Sequence, residues 1–200
     1  MGVLFMKTKK GFSLIEMIVV LAIIGILMAI LVPTWSYFIM RANVRSQNNY
    51  SKVIFNAAQT QATREKFYEH DNYVIANDTT KTVAERDNAK KALFVGADED
   101  FYIYWNGRKG FLLLADGETI DTTVTPDKQE KVDAFVKGIN KVFSHSQETV
   151  YKVYIKDYKV ISVCSGRSEG TESIGSFPEI QEGRSSGKTV QTFDMDSIKH

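Results

Sequence analysis

Apolar residues run almost unbroken from Phe12 to Val32 and then change their period. The run is 21 residues long. At ~1.5 Å per residue a helix of that length covers about 31 Å, enough to cross a bilayer core. Beyond it, Thr34–Tyr68 turns amphipathic: Tyr50, Val53, Ile54, Ala57 and Ala58 fall at i, i+3, i+4, i+7 and i+8, and Ala62 continues the stripe four residues on. Trp35, Tyr37 and Phe38 stand where an interfacial aromatic belt belongs. The pattern therefore predicts one long helix over 12–68, roughly 85 Å if continuous, ending near His70-Asp71-Asn72. A polar loop at Asn77–Lys81 precedes a short helix over Thr82–Phe94. Two strands follow, Phe101–Trp105 and Gly110–Ala115, joined by an Asn106-Gly107 turn, with a further turn at Asp116-Gly117. Thr125-Pro126-Asp127 reads as a helix start: a hydroxyl N-cap, proline at the first position and an acid in the first turn. Val132, Phe135, Val136, Ile139 and Phe143 form that helix's apolar stripe. The strands Thr149–Lys156 and Lys159–Ser165 flank a turn at Asp157-Tyr158, and alternation sets Tyr151, Val153 and Ile155 against Lys152, Tyr154 and Lys156. Gly166–Ser186 predicts loops anchored by Phe177-Pro178, and Val190–Phe193 a short last strand. Such an order of elements is α+β, with an antiparallel sheet.

Charge divides the chain. The 200 residues carry a formal net charge of +1, but Glu65–His200 holds 18 Lys/Arg against 23 Asp/Glu, a net of −5. Between Phe12 and Arg64 the one carboxylate is Glu16, set against Arg41, Arg45, Lys52 and Arg64. A basic helix thus leads to a mildly acidic head of one-domain size. That head lacks the general basic footprint of a nucleic-acid binder. Cys164 is the sole cysteine, so an intrachain disulfide is impossible. A buried thiol in a strand fits it, and an intermolecular bridge is the alternative.

Glu16 is the residue that does not belong. A carboxylate inside a bilayer helix costs roughly 2.5–3.5 kcal/mol on insertion scales, so a simple anchor would not carry one there. Ahead of it, Lys7, Lys9 and Lys10 form a basic tip suited to a cytoplasmic surface. Gly11 offers a peptide bond that a protease can approach closely. Cleavage after Gly11 would expose an amine on Phe12, which lies four residues from Glu16 and on the same helix face. That amine can neutralise its own Glu16 or a neighbour's; at ~4 Å and an effective dielectric of 20 the pair is worth about 4 kcal/mol. Snorkelling of Glu16 to the headgroups is the plain alternative. A secretory signal peptide fits poorly, because the run is too long and no small-x-small site follows. Met1–Phe5 is apolar ahead of the basic tip, and translation could start at Met1 or Met6.

Lys9-Lys10-Gly11-Phe12-Ser13-Leu14-Ile15-Glu16, the aliphatic run and Pro33 together resemble the class III leader and N-terminal helix of type IV pilins and pseudopilins. The resemblance covers about the first 57 residues. It implies a leader over 1–11, peptidase cleavage between Gly11 and Phe12, N-methylation of Phe12, and pairing of Glu16 with the Phe12 amine of a neighbouring subunit. It further implies an N-terminal helix over 12–68, membrane-spanning over 12–32, packed on the antiparallel sheet of a head over 69–200. Gly25 and Pro33 are either tolerated in a membrane helix or mark a segment able to stretch or melt. Many relatives staple a C-terminal loop by a disulfide; here packing, hydrogen bonds or an ion must serve. The implied function is that of a pilus subunit, with a pseudopilus subunit of a secretion or DNA-uptake machine as the alternative. The implied partners are related pilins in a helical filament, the prepilin peptidase and methyltransferase, an assembly platform and its ATPase. The implied place is the inner membrane with the N-terminus cytoplasmic, then a surface filament.

No catalytic constellation or cofactor motif emerges. His70, His145 and His200 lie far apart, and Ser144-His145-Ser146 reads as a helix-end cap. Asp98-Glu99-Asp100 could take calcium, but the run reads first as a solvated acidic loop. Asn77-Asp78-Thr79 matches a glycosylation sequon. The rival from another class is a membrane-tethered exported enzyme or binding domain, which would tolerate Glu16→Ala.

Overall fold

The first helix, α1, spans Leu14–Tyr68 without a break in its helical assignment, through Gly25 and Pro33. In this computed structural model the described residues are 11–96, 100–167, 173–183 and 187–198. They form two compact units, one ending at Ile39 and one spanning Met40–His200. In the first unit the side chains of α1 make no core: Leu14, Ile15, Ile26 and Val32 are each more than 60% exposed. The second unit holds the rest of α1, and there its buried face is Val44, Gln47, Asn48, Ser51, Ile54, Ala57, Ala58 and Ala62.

Helix α1 ends at Tyr68, the expected last residue, but a second helix, α2 (His70–Asn77), starts across His70-Asp71-Asn72, where the helical region was expected to end. Glu69 is the cause. Its buried carboxylate accepts the backbone N–H groups of Phe94 (2.6 Å) and Val95 (3.4 Å) and the Tyr158 hydroxyl (2.9 Å). The backbone breaks at the residue whose side chain must reach the next layer. Helix α3 (Val83–Ala92) opens with a reciprocal capping box, in which Glu85 N–H donates to Thr82 Oγ1 and Thr82 N–H to Glu85 Oε2. It ends before Leu93, whose backbone is extended, and Leu93, Phe94 and Val95 are all buried.

Strands β1 (Phe101–Trp105) and β2 (Gly110–Leu113) form the expected hairpin, β2 ending two residues short of Ala115. Helix α4 (Pro126–Val142) has proline in its first turn as expected, but the Thr125 hydroxyl makes no capping bond. Strands β3 (Thr149–Lys156) and β4 (Lys159–Arg167) pair through a tight turn in which Asp157 and Tyr158 both take positive φ, at 45° and 60°. Two successive left-handed residues match the twist of a two-residue hairpin. Strand β5 (Gly175–Phe177) emerges from the stretch expected to be loop. The sheet is antiparallel throughout, in the order β2-β1-β3-β4-β5.

Both faces of this sheet are covered, which the alternation in β3 did not suggest. On one face Ile54, Ala58 and Ala62 of α1 and Val132, Phe135 and Ile139 of α4 meet Ile103, Tyr151, Val153 and Val163. On the other, Tyr102, Tyr154 and Cys164 meet Ile174, Val190, Phe193, Met195 and Ile198 from the C-terminal segment. Val190–Phe193 is therefore an irregular cover over the sheet and not a strand, since β5 already pairs with β4. The arrangement, a long N-terminal helix with a small antiparallel five-stranded sheet, is the α+β pilin fold.

The cover is tied down by Lys152. Its side chain is 1% exposed. The Nζ group donates to three backbone carbonyls: Gly117 at 2.8 Å, Gln191 at 2.8 Å and Phe193 at 2.6 Å. An ammonium has three N–H donors and no acceptor, so three converging carbonyls satisfy it fully. Burial lowers its pKa, opposed by Cys164, Glu118, Asp194 and Asp116. This lysine does by hydrogen bonding what a lone cysteine cannot do by cross-linking. Cys164 itself is buried, its thiol pushed up to about 12 by burial and directed at the Val190 carbonyl (3.7 Å), which makes it an inert core residue.

Candidate functional site

The N-terminal segment is the site that the fold leaves unused. Gly11, Phe12 and Ser13 precede α1, and Phe12 is 79% exposed. A Cβ placed on Gly11 would meet nothing within 4 Å. Ser13 occupies the N-cap position and Glu16 is the third helical residue, so Ser13-Leu14-Ile15-Glu16 forms half of a capping box: the Ser13 N–H donates to Glu16 Oε2 at 3.2 Å. Met17 N–H closes the first turn on the Ser13 carbonyl at 3.3 Å. Glu16 thus stands in the first turn, where a carboxylate is favoured by the helix macrodipole. The apolar part of α1 has a mean hydropathy of 3.0 over 18 residues, none of them buried inside the chain's own fold.

Gly25 and Pro33 both lie inside this apolar stretch. Gly25 has open space where a Cβ would stand. At Pro33 the ladder loses the N–H that would reach Ala29. One residue on, the Thr34 hydroxyl donates to the Ile30 carbonyl at 3.0 Å, adding a side-chain bond beside the gap. The chain therefore brings Glu16 to Ser13 and leaves Gly25 and Pro33 as ladder positions with no tertiary support.

Residues 6–32 match the family model described as the prokaryotic N-terminal methylation motif. Over this segment the chain is similar to proteins that carry that motif. It is 54% identical over 39 residues to a fimbrial protein of Moraxella nonliquefaciens, a stretch that is 20% of this chain and 25% of that protein. The chain thus matches about a quarter of that relative's length. No solved structure matches the chain.

Within the unit Met40–His200, polar contacts join α1 to the sheet beside the apolar core. Asn48 accepts the backbone N–H groups of Ser176 (2.8 Å) and Gln181 (3.2 Å) and donates to the Gln181 carbonyl (2.8 Å). The Ser51 and Ser165 hydroxyls lie 2.9 Å apart, and their two protons are shared among that contact, the Gly175 carbonyl (3.1 Å from Ser51) and the Gln47 carbonyl (2.9 Å from Ser165). A Cβ on Gly175 would come within 2.2 Å of the Asn48 nitrogen and the Gln47 carbonyl carbon, so only glycine lets β5 lie against α1. Farther along, Gln59 donates to the Tyr158 carbonyl (3.1 Å) and accepts the Val160 N–H (2.8 Å), capping the free edge of the β3–β4 turn.

These residues were not legible as a functional set. Gln47, Asn48 and Ser51 sit in a polar run, Gln47-Asn48-Asn49-Tyr50-Ser51, that reads as a solvated face; their burial depends on β5, which comes from more than 120 residues later. The capping-box spacing Ser13-x-x-Glu16 is a signal for this site that the sequence does carry. Of the other candidates, His145 stacks on Tyr50 at 5.2 Å and is part of the packing. Asp98 and Glu99 lie outside the described residues, while Asp100 accepts the Tyr154 hydroxyl (2.5 Å) and pairs with Lys156 (3.6 Å). Asn77 ends α2 with its side-chain amide donating to the Tyr73 carbonyl.

Proposed function

We propose that this chain is a structural subunit of a type IV pilus, made as a membrane-anchored precursor and assembled through its N-terminal helix. The observation that carries the reading is the methylation motif over residues 6–32 leading into an apolar helix that finds no partner within its own fold. Residues 1–11 are the leader, 12–32 the span and 69–200 the head, with 12–68 the helix that links them. The leader lysines stay in the cytoplasm and the head lies outside. A peptidase cuts between Gly11 and Phe12, and the new Phe12 amine is methylated. Before assembly the apolar face of 12–32 is covered by lipid; in the filament it is covered by the same helices of related pilins. The platform protein and its ATPase supply the energy, since the chain has no nucleotide motif.

Glu16 supplies the register. A carboxylate in the bilayer core is unfavourable by roughly 2.5–3.5 kcal/mol, and the capping bond from Ser13 offsets only part of that. An entering subunit that brings its Glu16 within ~4 Å of a neighbour's amine gains about 4 kcal/mol at an effective dielectric of 20. A subunit displaced by one helical turn gains nothing. Gly25 and Pro33 form the weak segment of the same helix, where it can lengthen under load. Glu16→Gln tests the charge role: the variant should be inserted and cleaved as before, yet enter filaments at least tenfold less well. Normal filament yield from Glu16→Gln would overturn it. Deletion separates the two kinds of filament: loss of surface fibres supports the pilus, whereas loss of secretion or DNA uptake without loss of fibres supports a pseudopilus.

A further inference from the structure

The polar end of the sheet carries two adjoining cavities that the filament role does not use. One, of about 860 Å³, is lined by Trp105, Asn106, Arg108, Asn140, Ser146 and Gln147. The second, of about 330 Å³, shares Trp105, Arg108 and Asn140 with the first and adds Lys109, Asp133 and Lys137. Three shared residues make these one continuous groove, and its volume lies in the range of ordinary ligand sites.

The groove is held in shape from behind. Trp105 donates its indole N–H to the Ser146 carbonyl at 2.7 Å and stacks on Tyr151 at 6.3 Å between centroids. The Tyr151 hydroxyl donates to Asn140 Oδ1 at 2.9 Å. Asn106 Oδ1 accepts the backbone N–H groups of Arg108 (2.9 Å) and Lys109 (2.8 Å). In both asparagines the acceptor oxygen is thus engaged within the protein, and the amide NH₂ is the group left to meet a ligand. Added to these donors are the cations of Arg108, Lys109 and Lys137. Against them stands one acid, Asp133, whose Oδ1 already accepts from Gln129 at 2.8 Å.

The result is a donor-rich, locally cationic groove on a head whose overall balance is −5. Its ligand must be rich in acceptors and carry negative charge. An indole wall beside donor amides suits the face of a sugar ring with its hydroxyl and carboxylate oxygens at the rim. A nucleic acid fits less well. Duplex DNA carries one charge per ~1.7 Å, which a net-acidic head repels outside the groove. A uronic-acid polymer carries at most one charge per ring. We propose that the Trp105–Arg108–Asn140 groove binds an acidic polysaccharide, a sugar ring lying along Trp105 and its carboxylates reaching Arg108 and Lys137. This goes beyond the filament role and does not depend on it.

The test uses the full chain in detergent micelles, with Trp35→Phe so that Trp105 is the one remaining tryptophan. An octamer of galacturonic acid is titrated while Trp105 emission is followed, beside an uncharged maltooctaose and an oligothymidylate of equal length. The expected result is a saturable change with the galacturonate octamer, weakened at least tenfold in Arg108→Gln/Lys137→Gln and severalfold between 50 and 200 mM salt. Lys137→Glu, at an exposed helix position, gives the same loss should the double variant fold poorly. No emission change at millimolar octamer would overturn the proposal. So would equal binding of maltooctaose, or tighter binding of oligothymidylate that is lost in the same variants.

Discussion

Lys152→Met isolates the tie between the sheet and the C-terminal cover. Methionine keeps most of the stem's volume and removes the ammonium. The Gly117 and Phe193 carbonyls then lose their bond in a buried setting, while the Gln191 contact is partly open and its carbonyl can turn to water. A stranded buried acceptor costs about 1–3 kcal/mol, so the set amounts to about 3–5 kcal/mol. Removing a buried charge also removes its desolvation penalty, which here is not fully compensated, since burial lowers the Lys152 pKa. The net expectation is a loss of about 2–4 kcal/mol, a large share of the ~5–15 kcal/mol that holds a typical domain. The loss should be local before it is global. Amide hydrogen exchange read peptide by peptide should show 187–198 opening in the variant while β1 and β3 stay protected. Urea unfolding followed by Trp105 fluorescence should give the total. Unchanged exchange over 187–198 with a stability change below about 0.5 kcal/mol would refute the claim that Lys152 takes the place of a disulfide.

Two further outcomes follow from groups in the head and helix. Burial, and then the Glu69 charge, raise the pKa of Glu65. An acid with a raised folded pKa binds protons more tightly when folded, so its contribution falls as pH rises from the unfolded value near 4.5 through the folded pKa; Glu65→Gln should flatten that slope in urea titrations between pH 4 and 7 and raise stability at pH 7. Glycines at two positions of contact and open space should respond with opposite sign. Gly175→Ala forces a methyl into the α1 backbone and should lower the unfolding free energy by several kcal/mol, whereas Gly25→Ala has free space and should strengthen the helix by about 1 kcal/mol and stiffen filaments under stretching.

How far the sequence reached depended on the range of each interaction. The long helix, α4 and the two hairpins were legible because their signals are local: an unbroken apolar run, a Thr-Pro-Asp start, and turns at Asn106-Gly107 and Asp157-Tyr158. What was missed was set by distant chain. Lys152 looks like an outward-facing strand residue until residues 190–198 are known to cover that face. Glu69 looks like a solvated helix end until Phe94, Val95 and Tyr158 arrive at its carboxylate. Strand β5 has three residues, too few for an alternation pattern, and its place is fixed by Gly175 against Asn48. At the N-terminus the position was reversed. Among the described residues Glu16 bonds to Ser13, and its meaning comes from the chemistry of a charge in an apolar run.

The central claim is that this chain is a precursor cut after Gly11 and assembled through the helix that begins there. Intact mass and N-terminal sequencing of the protein from host membranes, with and without the prepilin peptidase, test it most directly. The account predicts a chain beginning at methylated Phe12 in the first case and an uncut chain in the second. An uncut chain in both would contradict it and leave Glu16 as a carboxylate that serves only to cap its own helix.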